Sequence, residues 1–115
     1  MTIASYTITF DATDAGKLAV FWSAALNRPV AAGAAEDYAA LEQSGSAPGI
    51  SFYKVPEPKT AKNRVHLDLS VGSLDDEVTR LLTLGARQVA RLESDGTGWV
   101  TLTDPEGNEF DLIQA

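Results

Sequence analysis

From Tyr6 to Phe10 the chain alternates, with Tyr6, Ile8 and Phe10 apolar and Thr7 and Thr9 polar between them. A period of two belongs to a strand with one buried face, because successive side chains point to opposite sides. The pattern then changes. Behind Asp14, a good N-terminal cap, Leu18, Phe21, Trp22 and Ala25 recur at helical spacing until "NRP" stops the run with a proline. A helix is therefore expected from about Ala15 to Leu26, with Phe21 and Trp22 packing it onto a sheet. Three short runs follow, "PVAAGA", "DYAALEQ" and "GISFYKV". Gly, Ser and Pro separate them, and they read as strands with tight connections.

The second half has the same order. "RVHLDLSV" alternates, and "LDDEVTRLLTLG" puts Leu74, Val78, Leu81 and Leu82 on one helical face, with Gly85 as its C-terminal cap. The spacing predicts a helix over 74–84, and the helix dipole explains Asp75, Asp76 and Glu77 at its start. Then "ARQVARLE", "WVTLTD" and "NEFDLIQ" read as three strands, the last two joined by the turn "DPEGN". Sliding the chain along itself so that Ile8 falls on Leu67 also puts Phe10 on Leu69, Trp22 on Leu81, Arg28 on Arg87 and Val30 on Val89. The expected fold is α+β: two tandem β-α-β-β-β units, residues 1–55 and 64–115, within one domain spanning 1–115. Residues 56–63, "PEPKTAKN", form the expected linker, stiffened by Pro56 and Pro58 and solvated by Lys59 and Lys62.

Composition narrows the function. A chain of 115 residues builds one core without staples, and the absence of cysteine removes disulfide, thiolate-metal and thiol-redox chemistry. A net charge of -7 repels a phosphate backbone and argues against nucleic acid as a partner. No apolar run approaches the roughly 20 residues that cross a bilayer. "MTIASYTITF" alternates instead of forming the apolar stretch of a secretory leader, so a cytoplasmic protein with a small-molecule ligand is expected.

Strand parity gathers the polar candidates. Thr7 and Thr9, Ser51 and Tyr53, Arg64, His66 and Asp68, Trp99, Thr101 and Thr103, and Glu109 and Asp111 all fall opposite the main apolar residues of their strands. His66, the single histidine, has three readings. It is a hydrogen-bonded residue paired with Asp111 or Asp68; or it contacts a ligand or serves as a catalytic general base beside a carboxylate; or it ligates a metal. Tyr53 and Trp99 are large flat side chains on polar faces, where a flat ligand would stack on them or they would plug a cleft themselves. Arg64 reads as an anion anchor or as a surface charge.

"FWSAAL" in the first helix, "VPEPKTAKNRVHLDL" across the junction and "DPEGNEFDLI" at the end, in paired β-α-β-β-β units, resemble the vicinal oxygen chelate superfamily, specifically its glyoxalase-like and bleomycin-resistance-like members. The resemblance covers essentially the whole chain. It implies two curved sheets around a ligand cleft, a homodimer and, in enzymatic members, a divalent ion held by four strand residues. The positions it matches here are Thr7, Tyr53, His66 and Asp111. Thr7 is neutral and a phenol is normally protonated near neutral pH, so only His66 and Asp111 are competent ligands, with Asp68 or Glu109 as substitutes. The expectation is a metal-free domain binding a small, partly aromatic molecule through Thr7, Tyr53, Arg64, His66, Asp68, Trp99, Thr101 and Asp111, a sequestration or resistance role. Two alternatives stand beside it: a divalent-metal lyase, isomerase or dioxygenase using His66 and Asp111, and a dimerising accessory domain without a ligand.

Overall fold

A computed structural model describes residues 2–94 and 97–115. The elements in order are β1 (Thr7–Ala12), α1 (Ala15–Leu26), β2 (Tyr38–Ala40), β3 (Gly49–Lys54), β4 (Asp68–Val71), α2 (Leu74–Leu84), β5 (Arg87–Ser94), β6 (Thr97–Thr103) and β7 (Glu109–Gln114). Both helices occupy the spans that spacing predicts, and the strands form two separate sheets. The chain divides into two compact units, Met1–Pro58 and Lys59–Ala115.

In the first unit the sheet order is β1-β3-β2, with β1 parallel to β3 and β2 antiparallel to it. Its core forms because alternation delivers Ile50, Phe52, Ala12 and Ala39 to the face that α1 covers with Leu18, Ala19 and Trp22. Phe10 lies 5.2 Å from the Trp22 ring and 5.3 Å from Phe52, and Trp22 meets Phe21 edge-on at 5.4 Å, an arrangement that favours aromatic pairs beyond their buried area. Asp14 caps α1 by accepting from the Lys17 N–H at 3.0 Å, and Asn27 ends it in the left-handed region at φ 55°. One expected strand is missing as such: "PVAAGA" contributes only an isolated bridge between Val30 and Leu41. Small residues and the left-handed Gly33 give that segment little to pack as a strand.

Arg28 pins the loops of this unit. It is 8% exposed, and its guanidinium donates to the Glu42 carbonyl at 2.9 and 3.1 Å and to the Pro48 carbonyl at 3.2 Å. Gly49 is required by close approach, since a Cβ there would lie 2.7 Å from the Thr7 hydroxyl.

The second unit has the sheet order β4-β7-β6-β5, with β4 parallel to β7 and the other pairs antiparallel. Phe110, Leu112, Val100 and Leu102 are buried on one face, where α2 contributes Leu74, Val78 and Leu81. On that same face Arg91 pairs with Asp75 of α2 at 2.7 Å, and the Gln114 carboxamide oxygen accepts from the Leu74 N–H at 3.1 Å. The turn before β7 is built on Asp104. Its buried carboxylate accepts from the N–H groups of Glu106 and Asn108 at 2.9 and 3.0 Å and from the Asn108 side chain at 2.9 Å, while Gly107 takes φ 90°.

Candidate ligand-binding site

The face of the second sheet opposite α2 carries the candidate chemistry. Asp111 on β7 lies directly across from Asp68 on β4 and from Thr101 on β6, so the three side chains form one row. Two carboxylates side by side repel each other, and their neighbours offset that cost. His66 Nδ1 stands 3.0 Å from Asp68 Oδ1 and 3.9 Å from Asp111 Oδ2. The Thr101 hydroxyl donates to Asp111 Oδ1 at 2.6 Å, a short charge-assisted bond that fixes the carboxylate plane.

Local structure explains how His66 arrives there. The strand expected from Arg64 begins only at Asp68, so His66 and Leu67 precede it and Arg64 lies exposed in a bend. The segment is held at both ends. The Asp111 N–H donates to the Leu67 carbonyl at 2.9 Å, and the Asn63 N–H donates to Glu109 Oε1 at 3.0 Å. Lys59 ion-pairs with Glu109 at 3.1 Å, and the Asn63 side chain donates to Asn108 at 3.2 Å. Lys59 is thus engaged with the start of β7 rather than merely solvated. Burial pushes the Glu109 carboxyl up, but the Asn63 N–H and the Lys59 charge outweigh it and hold the group below the ordinary glutamate value.

Trp99 is half-buried on this same face, one strand repeat along from Thr101, with Ile113 of β7 and Leu92 of β5 on either side. Thr7 and Tyr53 lie in the first unit, on the sheet face opposite α1. There Tyr53 is across from Tyr38, and the rings meet edge-on at 4.8 Å. Register also refines the internal match. Thr7 and Thr9 correspond to His66 and Asp68, and Thr9 pairs with Ser51 as Asp68 pairs with Asp111. The first-unit counterpart of Asp111 is accordingly Ser51, not Tyr53, and the equivalent set in that unit is three hydroxyls. Sequence reasoning passed over Arg28, whose burial next to a proline left no pattern signal, and Leu92, whose role depends on its cross-strand neighbour.

His66, Asp68 and Asp111 can each offer one donor atom, all within 4.8 Å of one another. Bonds of about 2.0–2.2 Å at right-angle or tetrahedral geometry separate neighbouring donors by roughly 3–3.5 Å. His66 and Asp68 stand at that spacing at 3.0 Å and His66 and Asp111 beyond it at 3.9 Å, so the imidazole and two carboxylates would hold a divalent ion, with open positions, once Asp111 draws in. Such an ion would polarise an oxygen of a bound molecule. Side-chain exposures of 39% for His66, 52% for Asp68 and 20% for Asp111 leave the cluster reachable.

The two units, each with a helix on one sheet face, define a vicinal oxygen chelate fold, and solved structures of that fold superpose closely. A glyoxalase/bleomycin resistance protein/dioxygenase family enzyme from Burkholderia phytofirmans gives a TM-score of 0.76 at 17% identity, covering 94% of this chain and 95% of that one. A fosfomycin resistance protein from Listeria monocytogenes gives 0.77 at 15% identity over 100% and 95%. A lactoylglutathione lyase from Agrobacterium tumefaciens gives 0.68 at 13% identity over 100% and 96%. No curated protein is significantly similar in sequence. Residues 7–113 match the model of the glyoxalase-like domain, and the chain belongs to that family.

Proposed function

We propose that this chain is a single glyoxalase-like domain that binds a small, partly aromatic molecule on the second sheet, with His66, Asp68, Thr101, Asp111 and Trp99 as its contacts and no metal. The observation that carries the reading is the adjacency, on one sheet face, of a hydrogen-bonding cluster and an accessible indole one strand repeat away. Polar groups that converge beside an aromatic surface orient a ligand, while the aromatic surface supplies most of the affinity. No helix among the described residues is long and apolar enough to cross a membrane. The proposal includes a cytoplasmic setting, compatible with a cysteine-free chain, and a homodimer as the family resemblance implies; size-exclusion chromatography with light scattering tests the latter.

A second reading is favoured by the same three side chains: His66, Asp68 and Asp111 hold a divalent ion, and the protein is a metal-dependent lyase, isomerase or dioxygenase. One experiment separates the two. Elemental analysis of protein purified without chelator is combined with a thermal-shift screen of aromatic natural products and divalent metals. A ligand or metal that binds the folded state raises the melting temperature with the logarithm of its concentration. The first reading expects shifts from aromatic compounds and well under one equivalent of metal; stoichiometric metal lost on His66→Ala replaces it with the second.

A further inference from the structure

Register sorts the face opposite α2 into rows of unlike chemistry. Glu109, Thr103 and Arg87 form the first, Asp68, Asp111, Thr101 and Ala90 the second, and Ile113, Trp99 and Leu92 the apolar part of the third. Charge is balanced unevenly across them. Glu109 is matched by Lys59, whereas Asp68 and Asp111 have His66 beside them and no lysine or arginine partner among the described residues. Since Thr101 already occupies Asp111 Oδ1, the oxygen left facing His66 is Oδ2. The apolar row is accessible, with Leu92 47% exposed and directly across from Trp99. Two residues along a strand separate the rows by about 6.6 Å.

We infer that the ligand is an aromatic cation: a flat ring seated on Trp99, Ile113 and Leu92, bearing a protonated amine, amidine or guanidine about 6–7 Å away, over Asp68 and Asp111. The inference rests on the small-molecule reading above and adds the charge of the ligand. A cation relieves the repulsion between the two carboxylates and donates hydrogen bonds to the oxygens that Thr101 and His66 leave available. An anionic ligand would have to approach both carboxylates within a chain of net charge -7, which disfavours encounter as well as binding. The indole face adds attraction for a cation that neutral or anionic ligands do not receive.

The test uses three probes of the same shape: naphthylmethylamine, naphthylmethanol and naphthoate, titrated into the isotope-labelled full chain after chelator treatment and followed by NMR. The amine is expected to shift the Trp99 indole N–H and the Asp111 amide, and to bind about tenfold more tightly than naphthylmethanol, the worth of one charge-assisted hydrogen bond. Asp111→Asn and Asp68→Asn, close in shape to the originals, should cost the amine more affinity than they cost naphthylmethanol and so shrink that preference; an undiminished preference overturns the cationic assignment. Equal or tighter binding of naphthoate at the same resonances overturns the cationic assignment while keeping a small-molecule site. Absence of any shift at Trp99 with all three probes overturns the site itself, and the ligand inference with it.

Discussion

Thr101 and Asp111 face each other across β6 and β7, and the hydroxyl of the first grips one oxygen of the second at 2.6 Å. The other oxygen is thereby aimed toward His66. Thr101→Val keeps the shape and removes the donor. Affinity for an amine-bearing aromatic probe should fall about three- to tenfold, roughly 0.5–1.5 kcal/mol, while Thr101→Ser restores most of it. Calorimetric titration of the three proteins checks the order; equal affinities would show that Asp111 needs no such orientation.

On the proposed reading, Trp99 would contribute area rather than orientation. Trp99→Ala should weaken binding of a flat probe by about 1–3 kcal/mol and leave the domain folded, because Val100 and Leu102 hold β6 from the other face. Fluorescence needs a Trp22→Phe background, since Trp22 also emits from its place in the aromatic core. A Trp99→Ala chain that unfolds would assign the indole to structure alone.

Acid should loosen the clasp that positions His66. The Glu109 carboxyl is held below its ordinary value of 4.5 in the folded chain, so unfolding takes up a proton. The stability it contributes is therefore complete above the unfolded value and is lost as the pH falls through the lower folded value. In urea melts across that acid window, the gap between the parent chain and Glu109→Gln should be largest near neutrality and close as the pH drops below 4.5. A constant gap would separate Glu109 from the acid response.

Arg28 should matter for stability and not for binding. Arg28→Ala strips the Glu42 and Pro48 carbonyls of buried donors, which should cost about 2–4 kcal/mol in chemical unfolding. Arg28→Lys should recover only part of it, because a single ammonium cannot reproduce a planar fork. Probe affinity, measured where each variant is folded, should stay put.

Periodicity made the helices legible in the sequence: Asp14 and Gly85 mark ends that hydrogen bonding then realises, and Leu18, Trp22, Val78 and Leu81 are buried as their spacing requires. Alternation likewise put Asp68, Thr101 and Asp111 on one side of their strands. It could not say where pairing begins, which is why His66 turned out to precede β4 rather than lie within it. "PVAAGA" misled for a related reason: short apolar residues satisfy the pattern without the bulk that makes a strand pack. Contacts between distant residues left no local trace at all. Arg28 meeting the Pro48 carbonyl and Asn63 meeting Glu109 are of this kind.

The parallel pairing of β4 with β7 joins the first and last strands of the second unit, and the candidate cluster straddles that seam. Contacts between residues so far apart in sequence form late, since the intervening chain must first surrender its freedom. A nascent polypeptide emerging from the ribosome would carry His66 and Asp68 long before Asp111 exists to complete them. The candidate cluster is consequently completed only once β7 has been made and has paired with β4, and a probe that reads the cluster doubles as a reporter of that pairing.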